Sequence, residues 1–558
     1  MFKKSHTNCF KTTIHNNASN GGVENDKHAN APFLSYYNHF LLPHVGLMKG
    51  SDNTYIPLEI AFNYASSAAN NEQVYISSSI YSHLCDIKEQ IEKYQDTWDN
   101  IKKFTNPYEY IHTNISGNKT NISRLRPLSR SFYKMVEIIK NNNILSQYSH
   151  TVVARPDTKM GINTFHLAEG PGGFIESISY LRGLEYQRVA KTEPDISSGN
   201  GIESVGGIIT SPVQILKRNT ELHDEVMKDI DQLKISRRIF ESQKATHDGG
   251  GGGGGGGASG TQTVYGNDRY YGMTLINDDP ICPGWKKTRT FLETHPNVII
   301  ETGADKTGNL ISLPNFIHCA TKYRNKMDII TADGGFDFSV DFNNQEMMAT
   351  QLILCEVFYA LAMQKPGGTF ILKIFDVFHK ATVDILYLLC YYYNNVSIMK
   401  PHTSRIANSE KYVVCQGFKI ADSGKIIEQI MGVFTSLCCP DRIYSILVQE
   451  NDLYFLNKIE EMNAMVSFQQ IENITSTLSI ITNHRNSEKL EQYKKTNVNK
   501  CIAWCEYYNI PYHIHTSTIQ STNIFLHKSM TTPITTPITT PMPVAGVAGV
   551  ASALVIPH

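Results

Sequence analysis

The chain has 558 residues, with 51 basic and 52 acidic side chains and a formal net charge of −1. Because a single hydrophobic core stops growing at about 250–300 residues, we expect one main domain with appended segments. The balanced charge excludes attraction of nucleic acid by the surface as a whole, so such a partner would need a local basic patch.

Composition and periodicity divide the chain into five predicted segments. In chain order these are a disordered arm over residues 1–55, a helical region over 56–150, an α/β domain over 151–420, a second helical region over 421–528 and a Pro/Thr-rich low-complexity tail over 529–558. A flexible insertion is expected at about 186–264, because the run of glycines that it contains cannot pack.

Cysteines and apolar segments indicate the compartment. The eleven cysteines are scattered and the polar start has no secretory apolar run, which indicates free thiols in a reducing compartment. Cys501 and Cys505 have no second pair at metal-ligand spacing and are predicted to be core thiols. The apolar stretch from Met542 to Pro557 is shorter than the about 20 strongly apolar residues of a membrane span, so no membrane partner is expected.

Within the third segment, apolar runs alternate with glycine turns and helical patterns. Turns and helices follow the runs "NTFHLA", "MDIITA" and "TFILKIF". This alternation predicts an α/β fold with a mostly parallel sheet and helices on both faces. Ligands of such folds bind outside the carboxyl ends of the strands, where Glu169 and Asp333 are expected.

A glycine-rich turn follows the first of these runs, in "EGPGGF" at residues 169–174. Gly170, Gly172 and Gly173 would let the backbone approach a ligand and present amide hydrogens at a helix N-terminus, although a plain tight turn is the alternative. The turn matches neither the dinucleotide fingerprint nor the P-loop. It suits a ligand with a modest anionic end, such as the methionine part of S-adenosylmethionine.

Four stretches resemble, in order, the motifs of the FtsJ-like 2′-O-ribose methyltransferases, and they are most similar to the Adrift-type branch that methylates capped mRNA, including homologues in large DNA viruses. These stretches are "FHLAEGPGGFIES", "TADGGFDF", "GGTFILKIFDVF" and "KPHTSRIANSEKYVVCQGF". The resemblance implies a Rossmann-like fold with a mostly parallel seven-stranded sheet and helical appendages at both ends. It also implies S-adenosylmethionine as cofactor, and capped mRNA and other capping or transcription proteins as partners. The expected location is the cytoplasm, with the nucleus as the alternative. If the protein is viral, the expected location is the host cytoplasm or the virion.

The family uses a Lys-Asp-Lys-Glu tetrad, which this sequence matches at Lys134, Asp333, Lys373 and Glu410. Methyl transfer to a ribose hydroxyl is an in-line displacement, so the reactants must be aligned and the hydroxyl must lose its proton. Lys373 is expected to act on that hydroxyl, as a base if its pKa is lowered or otherwise as an ammonium that stabilises the alkoxide. The two acids would hold the lysines, and no metal is expected. Single charged residues are more often solvated surface groups, which is the alternative for each.

The resemblance also implies the binding residues. Cofactor contacts are expected from Glu169, Gly170, Pro171, Gly172, Gly173, Phe174, Asp305, Asn309 and Asp333. Asn309 stands where relatives often carry an acid, so Asp305 is a candidate substitute, and Asp278 is a candidate ribose ligand. RNA contacts are expected from Arg126, Arg130 and Tyr133 in a basic segment with interleaved aromatic residues, and from Ser404 and Arg405. A solvated helix face is the alternative for the basic segment.

The leading hypothesis is therefore a cap-specific mRNA ribose 2′-O-methyltransferase. Two alternatives stay open: the same chemistry on ribosomal or transfer RNA, and a catalytically silent RNA-binding virion protein with the same fold. The C-terminal third is expected to buttress the sheet, with a partner-binding module as the alternative.

Overall fold

A sheet of eight strands forms the centre of the computed structural model, which describes residues 39–51, 54–64, 74–151, 161–192, 267–276, 284–335, 343–438, 442–483 and 487–513. The strands are β1 (His39–Leu41), β2 (Ile60–Tyr64), β3 (Asn163–Leu167), β4 (Arg269–Met273), β5 (Val298–Ile300), β6 (Met327–Ala332), β7 (Gln364–Ile374), β8 (Tyr393–Met399), β9 (Lys411–Phe418) and β10 (Ile443–Leu447). Eight of these ten strands form the central sheet, in the order β1-β8-β9-β7-β6-β3-β4-β5. The other two, β2 and β10, pair with each other.

The direction of the strands follows from their connections. Strands β3 to β7 pair in parallel, because each connection returns across the sheet before the next strand begins. Strand β9 runs antiparallel to both of its neighbours, β7 and β8. The seven strands β3–β9 therefore form the mostly parallel sheet that the motif pattern predicts, and the prediction of a Rossmann-like α/β fold is confirmed.

The eighth strand corrects the prediction that residues 1–55 are disordered. Strand β1 pairs antiparallel with the edge strand β8, with His39 opposite Met399. Phe40 and Leu42 are buried while Leu41 points outward, which is the alternation of a half-buried strand. The apolar residues of this short stretch thus cover the sheet edge, and composition averaged over the whole arm hid them.

Eleven α-helices lie in the described part of the chain: α1 (Ser78–Glu92), α2 (Gln95–Thr105), α3 (Ser131–Asn141), α4 (Gly173–Thr192), α5 (Arg289–Thr294), α6 (Leu313–Lys322), α7 (Gln345–Met363), α8 (Lys380–Tyr392), α9 (Gly424–Phe434), α10 (Leu453–Thr482) and α11 (Ser487–Tyr508). They cover both faces of the sheet. Ile329 of β6 packs in one core cluster with α3, α4 and α11, while Ile330 packs in another with α6 to α9. Successive residues of a strand point to opposite faces, so each face has its own core.

Helix α7 is long and apolar enough to cross a membrane by length and composition. However, 78% of its most apolar window is buried inside the fold, which is usual for the core helix of an α/β protein. Its apolar character therefore reflects its place between the sheet and the helices α6, α8 and α9.

The C-terminal helices pack on the N-terminal ones. Helix α10 contacts α1 and α2, and α11 contacts α2 and α3. Trp504, Cys501 and Cys505 of α11 are fully buried in the same cluster as α3. The C-terminal helices thus pack against the N-terminal helical region, and their role in buttressing the sheet stays a prediction. Most of the expected insertion, with its glycine run, and the tail over 529–558 lie outside the described residues, although α4 continues to Thr192.

Candidate active site

Four predicted catalytic side chains meet at the carboxyl edge of the sheet. Asp333 directly follows β6, and Lys373 lies near the end of the adjacent β7. Glu410 precedes β9, whose antiparallel direction brings its first residues to the same edge. Lys134 reaches this edge from α3. The fold thus joins groups that are up to 276 positions apart in sequence.

Two ion pairs organise the tetrad. The Nζ of Lys134 lies 2.5 Å from Glu410 Oε1, and the Nζ of Lys373 lies 3.2 Å from Asp333 Oδ1. Lys373 also donates to the backbone carbonyl of Asp333 at 2.7 Å. The Tyr412 hydroxyl can donate to Glu410 Oε1 at 3.1 Å or to Asp333 Oδ1 at 3.3 Å. This hydroxyl connects the two pairs into one network.

Burial and charge shift the pKa values of this network. Burial lowers the pKa of Lys134 by more than the adjacent Glu410 carboxylate raises it. Burial also acts to lower the pKa of Lys373, but the surrounding carboxylates, led by Asp333 and Glu410, raise it above its usual value. The pKa of Glu410 is lowered because the two lysines outweigh its burial. Lys373 is therefore an ammonium at neutral pH in this arrangement.

The glycine-rich turn connects β3 to α4 beside the tetrad. Buried Glu169 accepts backbone N–H groups of Phe174 and Ile175 through Oε1, and its Oε2 lies 3.0 Å from His166 Nδ1. The ring of Phe174 is buried against Tyr412, with 5.9 Å between the ring centroids. The expected cofactor contacts from these two side chains are therefore corrected: both stabilise the start of α4 from inside the fold.

The glycines of the turn are required by close packing of other chain segments. A Cβ on Gly170 would lie 2.8 Å from the carbonyl oxygen of Gly284, and a Cβ on Gly173 would overlap the Ser131 hydroxyl. Gly170 and Pro171 are partly exposed, whereas Gly172 and Gly173 are buried. The partly exposed side of the turn is therefore the part that a ligand can reach.

A family model described as "FtsJ-like methyltransferase" matches residues 127–418, which is more than half of the chain and includes all four tetrad positions. The chain belongs to the FtsJ-like methyltransferase family. The match begins seven residues before Lys134 and ends with β9, so it covers the seven-stranded sheet and α3.

Individual relatives carry the name cap-specific mRNA (nucleoside-2′-O-)-methyltransferase 1. The protein of Danio rerio is 43% identical over 157 residues, which cover 27% of this chain and 18% of the relative. That of Dictyostelium discoideum is 32% identical over 182 residues, covering 32% and 24%. That of Trypanosoma cruzi is 31% identical over 212 residues, covering 36% and 56%. The chain therefore spans between about a fifth and just over half of the length of these relatives.

The loop after β5 contains Asp305 and Asn309, which the resemblance to the FtsJ-like family predicts to contact the cofactor. Asp305 accepts from the Thr307 backbone at 2.9 Å and hydroxyl at 2.7 Å, and from the Ser312 hydroxyl at 2.8 Å. Asn309 Oδ1 accepts the backbone N–H of Ile311 at 3.0 Å. Both predicted side chains thus hold the loop together. The role of Asp305 as a substitute for the acid of the relatives stays a prediction, for a carboxylate that also accepts these donors.

Two exposed apolar residues lie shortly after β4. Leu275 and Ile276 follow Thr274, the first residue after the strand, and are 41% and 46% exposed. The Ile276 backbone N–H donates to the Thr307 carbonyl at 2.7 Å, which ties this surface to the loop after β5. With the partly exposed Asp333 at the same edge, these residues fit a ligand with an apolar ring and polar ends. Asp278 lies outside the described residues.

The predicted RNA contacts divide into two groups. Arg126 is exposed, and the guanidinium of the partly exposed Arg130 makes no hydrogen bond or ion pair with any residue that the structure describes. Tyr133 is only 1% exposed and donates to the Leu125 carbonyl at 3.0 Å. The prediction that Tyr133 stacks on a base is therefore wrong, because α11 covers this side of α3.

The structure of the loop before β9 corrects two further predictions of RNA contact. Arg405 donates to Glu109 through Nε at 3.0 Å and Nη2 at 2.6 Å, a bidentate pair with a buried carboxylate. Ser404 is buried, and its hydroxyl lies 3.2 Å from Glu410 Oε1. Both residues therefore position the loop that carries Glu410, and the donors of Arg405 that pair with Glu109 are not available to a phosphate.

The sequence reasoning missed two residues that shape the site. Tyr412 connects the ion pairs, and only its place two residues after Glu410 could have indicated it. Glu137 accepts the His402 backbone N–H at 2.6 Å, the Thr403 N–H at 3.2 Å and Trp504 Nε1 at 3.3 Å. Glu137 is the single acid of the basic segment, residues 119–140, and this exception was the available signal.

Replacing Gly172 by Val is expected to weaken binding of S-adenosylmethionine and to lower the melting temperature. Gly172 has φ +102°, and a Cβ would lie 3.4 Å from the Trp285 ring, so a branched side chain strains the turn by about 1–3 kcal/mol. Titration calorimetry with S-adenosylmethionine measures the affinity. Gly183→Ala is the control, since a Cβ there meets nothing within 4 Å. Unchanged affinity in folded Gly172→Val would contradict the prediction.

Proposed function

We propose that this chain is an S-adenosylmethionine-dependent mRNA cap ribose 2′-O-methyltransferase. The observation that carries the proposal is the meeting of Lys134, Asp333, Lys373 and Glu410 beside the glycine-rich turn, at the carboxyl edge of an FtsJ-like sheet. The names of the relatives support capped mRNA as the substrate.

S-Adenosylmethionine, when bound, supplies a methyl group on a positively charged sulfur. The partly exposed Gly170 and Pro171, the apolar residues Leu275 and Ile276, and Asp333 would hold it. Alignment of the acceptor hydroxyl is the main contribution of such a site, because little covalent chemistry is left to the protein.

Lys373 acts on the acceptor ribose in this proposal. Its ammonium, kept charged by Asp333 and Glu410, stabilises the negative charge that develops on the 2′ oxygen. A role as base would require that substrate binding lower its pKa. The Lys134–Glu410 pair fixes the loop before β9 and adds to the positive potential at the acceptor.

The RNA backbone would cross the exposed guanidinium groups near the tetrad. Arg130 lies close enough to Glu410 and Lys134 to affect their pKa values, so its charge is present at the site itself. Arg126 is exposed four residues before it. Phosphate contacts of this kind give affinity without sequence information.

Arg126→Ala is expected to weaken binding of capped and uncapped RNA equally and to reduce the slope of log affinity against log salt by about 1. Fluorescence anisotropy over a salt series measures both effects. Arg405→Ala is the comparison: it should lower stability because it leaves buried Glu109 unpaired, with a smaller change in the salt slope. An unchanged slope in Arg126→Ala would remove this residue from the RNA path.

The finer assignments stay predictions. The relatives named above are from eukaryotes, so the Adrift-type branch and the similarity to proteins of large DNA viruses rest on the motifs. A cytoplasmic location, in the host or virion if viral, or a nuclear one, and association with other capping or transcription proteins belong to the same proposal.

Methyl transfer from labelled S-adenosylmethionine to capped and uncapped RNA of identical sequence tests the function. We expect label on the capped RNA alone, located at a ribose near the 5′ end after nuclease digestion, and none with Lys373→Ala. Equal labelling of uncapped RNA would favour the ribosomal or transfer RNA alternative. RNA binding without any labelling would favour the silent protein.

A further inference from the structure

A buried carboxyl group lies beneath the turn that carries Asp333. Glu356 belongs to the apolar helix α7, and its side chain is 0% exposed. Its Oε1 accepts the backbone N–H of Gly334 at 3.0 Å. A Cβ on Gly334 would overlap this oxygen, so the glycine is required by the contact.

The next residue, Gly335, brings the same turn close to Lys373. A Cβ on Gly335 would lie 3.2 Å from Lys373 Nζ. The turn therefore contacts Glu356 at Gly334 and Lys373 at Gly335. Any shift of the Gly334 amide would move Asp333, which holds Lys373 through its carbonyl and its carboxylate.

The second oxygen of Glu356 has no hydrogen-bond partner among the described residues. Among the described residues, the charged groups that affect the pKa of Glu356 are Lys373 on β7 and Asp333 after β6. Asp333 carries the same charge as an ionised Glu356, and Lys373 is already paired with Asp333. A buried carboxylate in this place would be poorly compensated, whereas a neutral carboxyl group keeps its bond to Gly334 at a lower desolvation cost.

We propose that Glu356, in its neutral protonated form, is a positioning residue for methyl transfer: it holds the Gly334 amide and thereby places Asp333 against Lys373. The effect on catalysis rests on the proposed function. The contact with Gly334 and the protonation state of Glu356 do not depend on the proposed function.

The raised pKa of Glu356 supports the neutral, protonated form. Burial raises the pKa of Glu356 from its usual value near 4.5 to about 8. Between these values the folded protein binds a proton that the unfolded chain has lost, so the stability contributed by this group falls as pH rises through that window. Above about pH 8, ionisation places a negative charge beside Asp333 and disturbs the turn.

Glu356→Gln is the informative variant, because Gln has the shape of the neutral acid and never ionises. We expect the wild-type rate to decline above about pH 8, and we expect Glu356→Gln to have wild-type turnover at about pH 7 without this alkaline decline. Glu356→Leu leaves the Gly334 amide without an acceptor, and a misplacement of about 1 Å costs about 10²-fold, so kcat should fall about that much with little change in KM. Glu428→Gln, an exposed carboxylate on α9, is the matched control and should follow the wild type at every pH.

Two measurements without substrate separate this proposal from the proposed function. Hydrogen exchange at the Gly334 amide should stay slow in Glu356→Gln and become fast in Glu356→Leu. Urea unfolding between about pH 5 and pH 8 should depend less on pH in Glu356→Gln than in the wild type. Fast exchange at Gly334 in Glu356→Gln, or an unchanged pH dependence of its stability, would overturn the proposal. If the wild type methylates no RNA but both measurements behave as expected, the proposed function fails and the role of Glu356 in holding the turn stands.

Discussion

Lys373→Arg is expected to lower the single-turnover rate of methyl transfer to capped RNA by about 10²–10⁴-fold at saturating cofactor. The Nζ of Lys373 donates to the carbonyl of Asp333 at 2.7 Å and lies 3.2 Å from its carboxylate. The turn is also close, since a Cβ on Gly335 would be 3.2 Å from the same nitrogen. A planar guanidinium cannot occupy this space in the same way and cannot be deprotonated. Cofactor affinity should change little, because the group acts on the acceptor.

The controls for this prediction distinguish charge from geometry. Lys425→Arg changes an exposed lysine on α9 and should leave the rate unchanged. Lys373→Ala should be at least as slow as Lys373→Arg. Near-normal turnover of Lys373→Arg would show that a fixed positive charge suffices. Near-normal turnover of Lys373→Ala as well would remove Lys373 from the active site, and the tetrad assignment with it.

The dependence of the rate on pH, measured in Glu356→Gln so that ionisation of Glu356 does not contribute, separates the two roles of Lys373. The carboxylates around it raise its pKa above the usual value, so the ammonium prevails at neutral pH. If the ammonium stabilises the alkoxide, the rate should fall as pH rises through that pKa. If the free amine acts as base, the rate should instead rise with pH over the same range.

Glu410→Gln is expected to cost about 3–5 kcal/mol of stability and to abolish most of the activity. Lys134 is 4% exposed, and its Nζ lies 2.5 Å from Glu410 Oε1. Removing one partner of a buried ion pair leaves an uncompensated charge, which is far costlier than the pair itself. Urea unfolding followed by circular dichroism measures the change, and an unaltered midpoint for Glu410→Gln would contradict the prediction.

A double variant tests the reason for that loss. Lys134→Met with Glu410→Leu replaces both charges by apolar groups, so it should recover most of the stability while remaining inactive. The pH dependence gives a second check. The pKa of Glu410 is lowered by the lysines, so its contribution to stability is present above the ordinary glutamate range and is lost as pH falls through the folded value. This acid-dependent part of the stability should be absent from the double variant.

Much of the fold could be predicted from the sequence because its signals are local. The alternation of apolar runs, glycine turns and helical patterns depends on neighbouring residues, and it predicts the order of strands and helices that the structure has. Asp333 ends an apolar run and Lys373 interrupts one, so both were placed correctly at the edge of a parallel sheet. The motif order then added Lys134 and Glu410, which no local pattern distinguishes from surface charges.

The environment of each side chain was decided by packing between segments that are distant in the sequence. Tyr133 lies in a basic, aromatic segment typical of an RNA-binding surface, yet α11 buries it from more than 350 residues away. Arg405 is paired by Glu109, and Glu356 is buried in an apolar helix under the turn of Asp333. A residue type and its local spacing determine which helix or strand forms and which chemistry is available. Whether a given charge or ring faces solvent, a partner or the core depends on which other element covers it, and that is set by the tertiary fold.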